Sequence, residues 1–305
     1  MFSLRRIATT TAPTVGRQSL QAVSARIRLY SQAVGPLVYD LHEPPHPITD
    51  KRKAPILFLH GLFGSKKNNR AISKALARDL GRYVYALDLR NHGESPHSIQ
   101  HDYLAMAQDV AAFIEGHGLT DTTLIGHSMG AKTSMALALR SPELVADIVA
   151  VDNAPVDVTL SRDFAEYVRA MKKINDAKVT RQAEADKILS EYEESLAIRQ
   201  FLLGNMYQPS GEQFRKFRIP LDILGKSLDN LGDFPYKDPN EIRFEKPALF
   251  VRGTKSKYVP DELIPLIGQF FPKFRLVDVD AGHWLISEQP EAFRQAVVEF
   301  LQKPE

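Results

Sequence analysis

Short apolar runs alternate with longer amphipathic stretches from Pro36 onward. A wholly apolar run such as Ile56–Leu59 is typical of a strand buried on both faces, and the amphipathic stretches are typical of helices packed on a sheet. The alternation therefore predicts an α/β fold with a mostly parallel central sheet flanked by helices. The predicted strands are 37–42, 56–59, 83–87, 122–125, 148–151, 248–251 and 275–279, and the predicted helices are 67–80, 103–115, 131–140 and 291–301.

A long stretch with no convincing strand interrupts this alternation between residues 156 and 244. It holds charged, helix-forming sequences such as 163–174 and 185–203. Because this block follows the carboxyl end of a predicted strand, where α/β proteins place their ligands, we predict that it is a helical lid inserted over a site. A packing appendage is the alternative. The predicted domain covers residues 36–303 and includes this insertion.

Composition excludes several protein classes. The 305 residues are 44% hydrophobic and 25% charged, so the chain can bury a full core and is not disordered over its whole length. No run approaches the roughly 20 uncharged apolar residues of a membrane-spanning helix. The chain has no cysteine, which excludes disulfides, thiolate metal sites and a cysteine nucleophile.

The first 30 residues differ from the rest of the chain in charge. They are rich in Ser and Thr and contain five arginines but no Asp or Glu, whereas the other 34 basic residues face 37 acidic ones. This composition predicts a mitochondrial transit peptide over residues 1–30, removed after import into the matrix, with a processing site near Arg28. A disordered tail is the alternative. The rest of the chain has no basic excess, so we expect no nucleic-acid partner.

The sharpest chemical signal is the G-x-S-x-G sequence at residues 126–130. It lies directly after a predicted strand and directly before a predicted helix, the context of a nucleophile elbow. The tight turn strains the backbone of Ser128 and leaves no room for side chains two residues away on either side. We therefore predict that Ser128 is a catalytic nucleophile.

A serine nucleophile needs a general base, and nine histidines are available. His283 follows the last predicted strand, which matches the order serine, acid, histidine of hydrolases with such an elbow, so we predict that it is the base. His127 should point away from Ser128. His60 and His92 lie in loops at the active edge, where bonding to the backbone is the expected role. The remaining histidines are expected to be solvated: His42, His46, His97, His101 and His117.

The acid is predicted from strand ends. In most hydrolases of this kind the acid follows the strand before the histidine, but here the loop 252–259 has no carboxylate. Asp261 lies beyond that loop, at the start of a helix. Asp152, at the end of the preceding strand, would also face the loop of His283, so we predict that Asp152 is the acid and keep Asp261 as the alternative.

The loop 60–64 follows a buried strand and has the sequence His-Gly-Leu-Phe-Gly. Hydrolases with this elbow place their second oxyanion-hole loop there. We predict that the backbone N–H groups of Met129 and Leu62 hold the developing oxyanion, with Phe63 as a weaker alternative to Leu62. The sequence 88–95 is expected to be a structural loop that shapes the pocket.

The motifs HGLFGS, DLRNHGESPH, LIGHSMGAKTSMALAL, VDNAP and AGHW together resemble the alpha/beta-hydrolase-domain-containing protein 11 family. This family includes bacterial short-chain esterases, mitochondrial homologues in animals and fungi, and yeast ethanol acetyltransferases. The resemblance covers residues 36–303. It implies the alpha/beta-hydrolase fold, an acid at the position of Asp152, and a mitochondrial ester or thioester hydrolase or an alcohol acyltransferase.

Three functions remain open on this basis. The first is hydrolysis of carboxylic esters or thioesters of small acyl substrates, the second is acyl transfer from a thioester or ester to a small alcohol, and the third is a non-catalytic partner protein. A serine nucleophile argues against the dehalogenases and epoxide hydrolases, which attack with aspartate. No metal-ligand spacing, phosphate-binding loop or dinucleotide fingerprint is present, so we expect no metal and no cofactor. Acyl length and oligomeric state are not readable from the sequence.

Overall fold

A computed structural model describes residues 33–46 and 54–302 and contains a seven-stranded central sheet. The order across this sheet is β1-β3-β2-β4-β5-β8-β9, with β1 antiparallel to β3 and the other pairs parallel. The strands in chain order are β1 Tyr39–His42, β2 Ile56–Leu59, β3 Val84–Leu87, β4 Thr122–His127, β5 Val145–Val151, β6 Met206–Tyr207, β7 Lys216–Phe217, β8 Ala248–Gly253 and β9 Phe274–Val279.

Helices cover both faces of the sheet. The pair α1 and α11 packs on one face and the pair α2 and α3 on the other. The helices in chain order are α1 Arg70–Leu80, α2 Tyr103–Gly116, α3 Met129–Arg140, α4 Arg162–Asp176, α5 Gln182–Leu189, α6 Leu196–Leu203, α7 Leu221–Lys226, α8 Leu228–Gly232, α9 Ile264–Phe270, α10 Leu285–Glu288 and α11 Pro290–Gln302.

The predicted fold class and the seven predicted strands of the main sheet are confirmed. Strands β2 and β4 lie in the middle of the sheet and are buried along their whole length, as the apolar sequence of β2 predicts. None of the helices in the described part of the chain is long and apolar enough to cross a membrane.

The insertion, residues 156–244, lies between β5 and β8 and contains α4 to α8. Its longest helix, α4, buries one apolar face that includes Phe164, Met171 and Ile174, while its charged residues stay outside. The expectation that this stretch contains no strand is wrong, because β6 and β7 pair as a small antiparallel ribbon. A strand of two residues is too short to show an alternating pattern.

Candidate active site

The carboxyl end of β4 turns sharply into α3 at Ser128, whose backbone lies in the left-handed region at φ 53°. Glycines on either side make this turn sterically feasible. A Cβ atom on Gly126 would lie 2.1 Å from the carbonyl oxygen of Gly130, and one on Gly130 would lie 2.3 Å from that of Leu59. The elbow therefore tolerates no side chain at either position, and it presents Ser128 at the amino end of α3.

Ser128, His283 and Asp152 form a continuous chain of hydrogen bonds. The Ser128 hydroxyl lies 3.0 Å from Nε2 of His283, and Nδ1 of His283 lies 2.6 Å from Oδ2 of Asp152. The three residues come from the ends of β4 and β5 and from the loop after β9, which all open at the same edge of the sheet. A hydroxyl, an imidazole and a buried carboxylate in this order can activate the hydroxyl as a nucleophile.

The two candidate acids have different surroundings. The Asp152 carboxylate is fully buried and accepts hydrogen bonds from the backbone N–H of Gly253 at 3.0 Å and from the hydroxyl of Ser256 at 2.5 Å. The Asp261 side chain is 79% exposed and pairs with Arg252 at 2.6 Å. Of the two carboxylates, the one that bonds to the candidate base is therefore Asp152.

The loop after β2 forms a tight turn beside Ser128. The Gly64 N–H donates to the Gly61 carbonyl at 2.9 Å, and a Cβ atom on Gly61 would lie 3.4 Å from that of Ser128. Within the described chain, the backbone N–H groups of Leu62 and Met129 have no hydrogen-bond partner and stay available to a ligand. The Phe63 N–H is already donated to His92.

Comparisons with known proteins agree with this geometry. A profile described as the alpha/beta hydrolase fold matches residues 54–290. The chain belongs to the alpha/beta-hydrolase family. An abhydrolase domain-containing protein of Schizosaccharomyces pombe is 40% identical to it over 83% of this chain and 94% of its own length.

Other relatives of this alpha/beta hydrolase have more specific names. A probable alcohol acetyltransferase of Saccharomyces cerevisiae is 39% identical over 95% of this chain and 90% of its own length. The sn-1-specific diacylglycerol lipase ABHD11 of Mus musculus is 39% identical over 81% of this chain and 80% of its own. A solved marine microorganism esterase is 32% identical with a TM-score of 0.79, covering 87% of this chain and 99% of its own. The predicted enzyme class, a serine hydrolase of ester bonds, agrees with these findings.

Two histidines connect the loops of this alpha/beta hydrolase, as predicted. His60 donates from Nδ1 to the Gly61 carbonyl and accepts the Leu89 N–H at Nε2. His92 donates from Nδ1 to the Arg90 carbonyl. Burial lowers the pKa of both imidazoles, so both stay neutral and can accept a backbone N–H.

Other histidine predictions need correction. His42 and His101 were expected to be solvated but are 7% and 1% exposed. His42 ends β1 beside α1, and His101 is covered by its own loop, where Asn91 contacts its ring at 3.2 Å. Burial lowers the pKa of both. The expectation of exposure holds for the other three: His46, His97 and His117.

His127 takes part in the site more directly than the sequence suggested. Its ring lies 5.0 Å from that of His283, and its Nε2 donates to the His283 carbonyl at 2.8 Å. Burial, followed by the nearby His283, lowers the pKa of His127 to about 4, so the ring is neutral. It therefore holds the histidine loop in place.

Sequence reasoning missed two residues of the loop after β8. Ser256 bonds to Asp152, and the ring of Tyr258 stacks on His283 at 4.2 Å. The signal that could have found them is the loop's position, since this is where other hydrolases of this fold place their acid. Without a carboxylate of its own, the loop supports Asp152 at the end of the neighbouring strand.

Aromatic side chains from the insertion reach residues of the site. The Phe164 ring lies 6.1 Å from that of Phe63 in the loop beside Ser128. The Phe201 ring lies 4.7 Å from that of Trp284, the residue after His283. Two helices of the insertion, α4 and α6, thus border the site with apolar surface.

Proposed function

We propose that this protein is a mitochondrial serine hydrolase that cleaves carboxylic ester or thioester bonds of small acyl substrates. Ser128, His283 and Asp152 would be its catalytic triad, and the backbone N–H groups of Met129 and Leu62 its oxyanion hole. The hydrogen-bonded chain from Ser128 to Asp152 is the observation that carries the proposal. The esterase and lipase among the relatives support the ester substrate.

The first half of the reaction forms an acyl-enzyme. His283 takes the Ser128 proton at Nε2 while Oγ attacks the carbonyl carbon of the ester, and Asp152 stabilises the imidazolium from the other side of the ring. The free N–H groups of Leu62 and Met129 hold the oxyanion, each worth roughly 3 kcal/mol, aided by the amino end of α3. The oxyanion then collapses, and His283 gives its proton to the departing alcohol or thiol.

The second half regenerates the serine. His283 takes a proton from a water molecule, the resulting hydroxide attacks the acyl carbon, and Ser128 leaves with the proton that His283 returns. The products are the carboxylic acid and the free enzyme. Every proton passes through Nε2 of His283, so these reaction steps need no cofactor.

Substitution of the nucleophile tests the proposal. Ser128→Ala should lose labelling by a fluorophosphonate probe and at least about 10³-fold in turnover of simple nitrophenyl esters. Ser134→Ala is the matched control, because this serine lies on the same helix, is buried and has no hydrogen-bond partner among the described residues. Undiminished labelling of Ser128→Ala would refute the assignment.

Acyl transfer to a small alcohol is the second candidate. Relatives named probable alcohol acetyltransferase and ethanol acetyltransferase 1 are 39% and 31% identical to the chain. Both reactions share one acyl-enzyme and differ in whether water or an alcohol removes the acyl group. Supplying acetyl-CoA with ethanol and measuring ethyl acetate against acetate decides between them.

Two further parts of the proposal concern the insertion and the amino terminus. The insertion, residues 156–244, would act as a lid that forms the acyl pocket. The aromatic rings of α4 and α6 beside the site support this role.

Residues 1–30 would direct import into the mitochondrial matrix. Their five arginines and their lack of acidic residues support this role. Residues 1–32 lie outside the part of the chain that the structure describes.

A further inference from the structure

The loop that carries Leu62 is held at one residue from two sides. The N–H of Phe63 donates to Nε2 of His92 at 3.1 Å, and the carbonyl of Phe63 accepts from the side-chain amide of Asn205 at 2.7 Å. His92 belongs to the loop after β3, whereas Asn205 belongs to the insertion, 142 positions further along the chain. Both polar groups of the Phe63 backbone therefore have buried partners.

The backbone of Phe63 needs this support. Its φ is 61°, in the left-handed region, which is unfavourable for a residue with a side chain. The turn 61–64 is closed by one hydrogen bond from Gly64 to Gly61. One hydrogen bond is not enough to keep Phe63 at an unfavourable φ. The turn therefore depends on the residues that bond to the N–H and the carbonyl of Phe63.

Asn205 is itself held rigidly by the insertion. The residue is 8% exposed, and its side-chain amide also donates to the Leu202 carbonyl at 3.2 Å, at the end of α6. Its backbone carbonyl accepts the Arg218 N–H at 3.0 Å, next to the β6–β7 ribbon. The position of the Asn205 amide is therefore set by how the insertion sits on the core.

We propose that Asn205 is a positioning residue for the oxyanion hole, through which the seating of the insertion controls the direction of the Leu62 N–H. This inference rests on the proposed function of Ser128 and Leu62. With Asn205 in place, the turn keeps Phe63 at positive φ and leaves the Leu62 N–H facing the site. Without it, the Phe63 carbonyl loses its buried donor, the turn relaxes and the oxyanion loses a donor.

The contact of Asn205 with Phe63 would link substrate binding to transition-state stabilisation, which a simple lid keeps separate. A lid that only forms the acyl pocket changes which substrate binds, whereas an insertion that also grips Phe63 changes how well the transition state is stabilised. The enzyme would then reach full rate only when the insertion is seated. Asn205 would act on kcat, and the aromatic residues of the insertion would act on substrate choice.

The test measures kcat, KM and the affinity for a tetrahedral mimic, an aliphatic trifluoromethyl ketone, in Asn205→Ala. We expect kcat to fall about 10- to 100-fold with KM changed less than about threefold. Affinity for the trifluoromethyl ketone should fall in parallel with kcat/KM, because its oxyanion uses the same donors. Affinity for the matching methyl ether, which has no carbonyl, should not change.

Asn175→Ala is the matched control. Asn175 is also in the insertion and also bonds to a backbone group, accepting the Phe217 N–H at 3.1 Å, but it does not touch the loop of Leu62. It should keep wild-type kcat and wild-type affinity for both ligands. Equal losses in the two variants would show general loosening of the insertion and overturn the proposal, as would wild-type behaviour of Asn205→Ala.

Two further measurements keep the outcomes distinct. Asn205→Gln retains an amide donor, so if Asn205→Ala does not fold, the Gln variant should fold and show a smaller loss of the same kind, in kcat but not in KM. An effect on KM alone would contradict the proposal. Fluorophosphonate labelling of the wild type separates the two hypotheses, because an unlabelled wild type refutes the proposed function, whereas a labelled one with an insensitive Asn205 refutes this inference alone.

Discussion

At the scale of single residues, a positive φ recurs at two members of the candidate site. Ser128 and Asp152 both have positive φ, 53° and 50°, directly after neighbouring strands. Each conformation costs of order 1–3 kcal/mol. The backbone N–H of Ser128 donates to the carbonyl of Val151 on β5, and that of Asp152 donates to the carbonyl of Val251 on β8. In this conformation both side chains reach His283 at the carboxyl edge of the sheet.

The first prediction at this scale separates the two candidate acids. Asp152→Asn should fold normally but lose on the order of 10³ to 10⁴ in kcat, because the amide holds His283 in the wrong tautomer. Asp261→Asn loses only an exposed ion pair with Arg252 and should keep near wild-type activity. The measurement is paired kinetics on a generic ester, and a crippled Asp261→Asn beside an active Asp152→Asn would contradict the assignment.

At the scale of elements, α2 and α3 anchor the end of α8 in the insertion. Lys132 on α3 is 1% exposed and donates to the carbonyls of Gly232 and Asp233, both at 3.0 Å. The hydroxyl of Tyr103 on α2 donates to the Leu231 carbonyl at 2.7 Å, and its ring lies 5.4 Å from the Lys132 ammonium. These bonds cap the free carbonyls at the end of α8.

The buried ammonium predicts a pH-dependent stability. Burial lowers the pKa of Lys132 from 10.5 to about 8, so between these values the unfolded chain holds more protons at this residue than the folded one. Raising the pH through that window therefore stabilises the wild type, an effect absent from Lys132→Met. In urea unfolding, we expect the free energy of unfolding of the wild type to rise relative to that of the variant between about pH 8 and about pH 10.5. Parallel pH profiles would contradict the prediction.

A second prediction for the insertion concerns acyl length. Phe201 of α6 packs on Trp284 beside His283, so Phe201→Ala should open space for longer acyl chains. The rate profile over nitrophenyl esters of increasing length should shift toward longer chains, while the fluorophosphonate probe still labels Ser128. Tyr192→Ala is a control on the same insertion, since its ring faces Lys173 and not the site. An unchanged profile would reduce the insertion to a packing role.

At the scale of the whole molecule, the uneven charge predicts import. Residues 1–30 contain five arginines and no Asp or Glu. The inward-negative potential of the mitochondrial inner membrane attracts such a positively charged segment toward the matrix. Expressed in cells, the full chain should reach the matrix and yield a mature amino terminus near residue 31. Replacing the five arginines by Gln should abolish import. A matrix-free distribution of the wild type, or a mature protein that still begins at Met1, would count against the prediction.

The sequence by itself determined the fold class, because burial on two faces, on one face or on neither leaves a periodic record along the chain. The elbow was also readable from its G-x-S-x-G sequence, in which Gly126 is required by contacts within the turn and Gly130 by the carbonyl of Leu59 on the neighbouring strand β2. Chain order and strand ends then led to His283 and Asp152, whose catalytic roles stay predictions. Each of these inferences depends on local geometry or on one topological rule.

Only the tertiary structure decided which side chains support the site. The contacts of Asn205 with Phe63 and of Ser256 with Asp152 join residues more than a hundred positions apart and depend on the paths of loops. The burial of His101 also depends on the path of a loop, and the polar sequence around this residue did not suggest it. Loop paths follow from how the packed elements meet, and a polar side chain takes whichever buried partner that packing brings to it, so no local pattern encodes the pair.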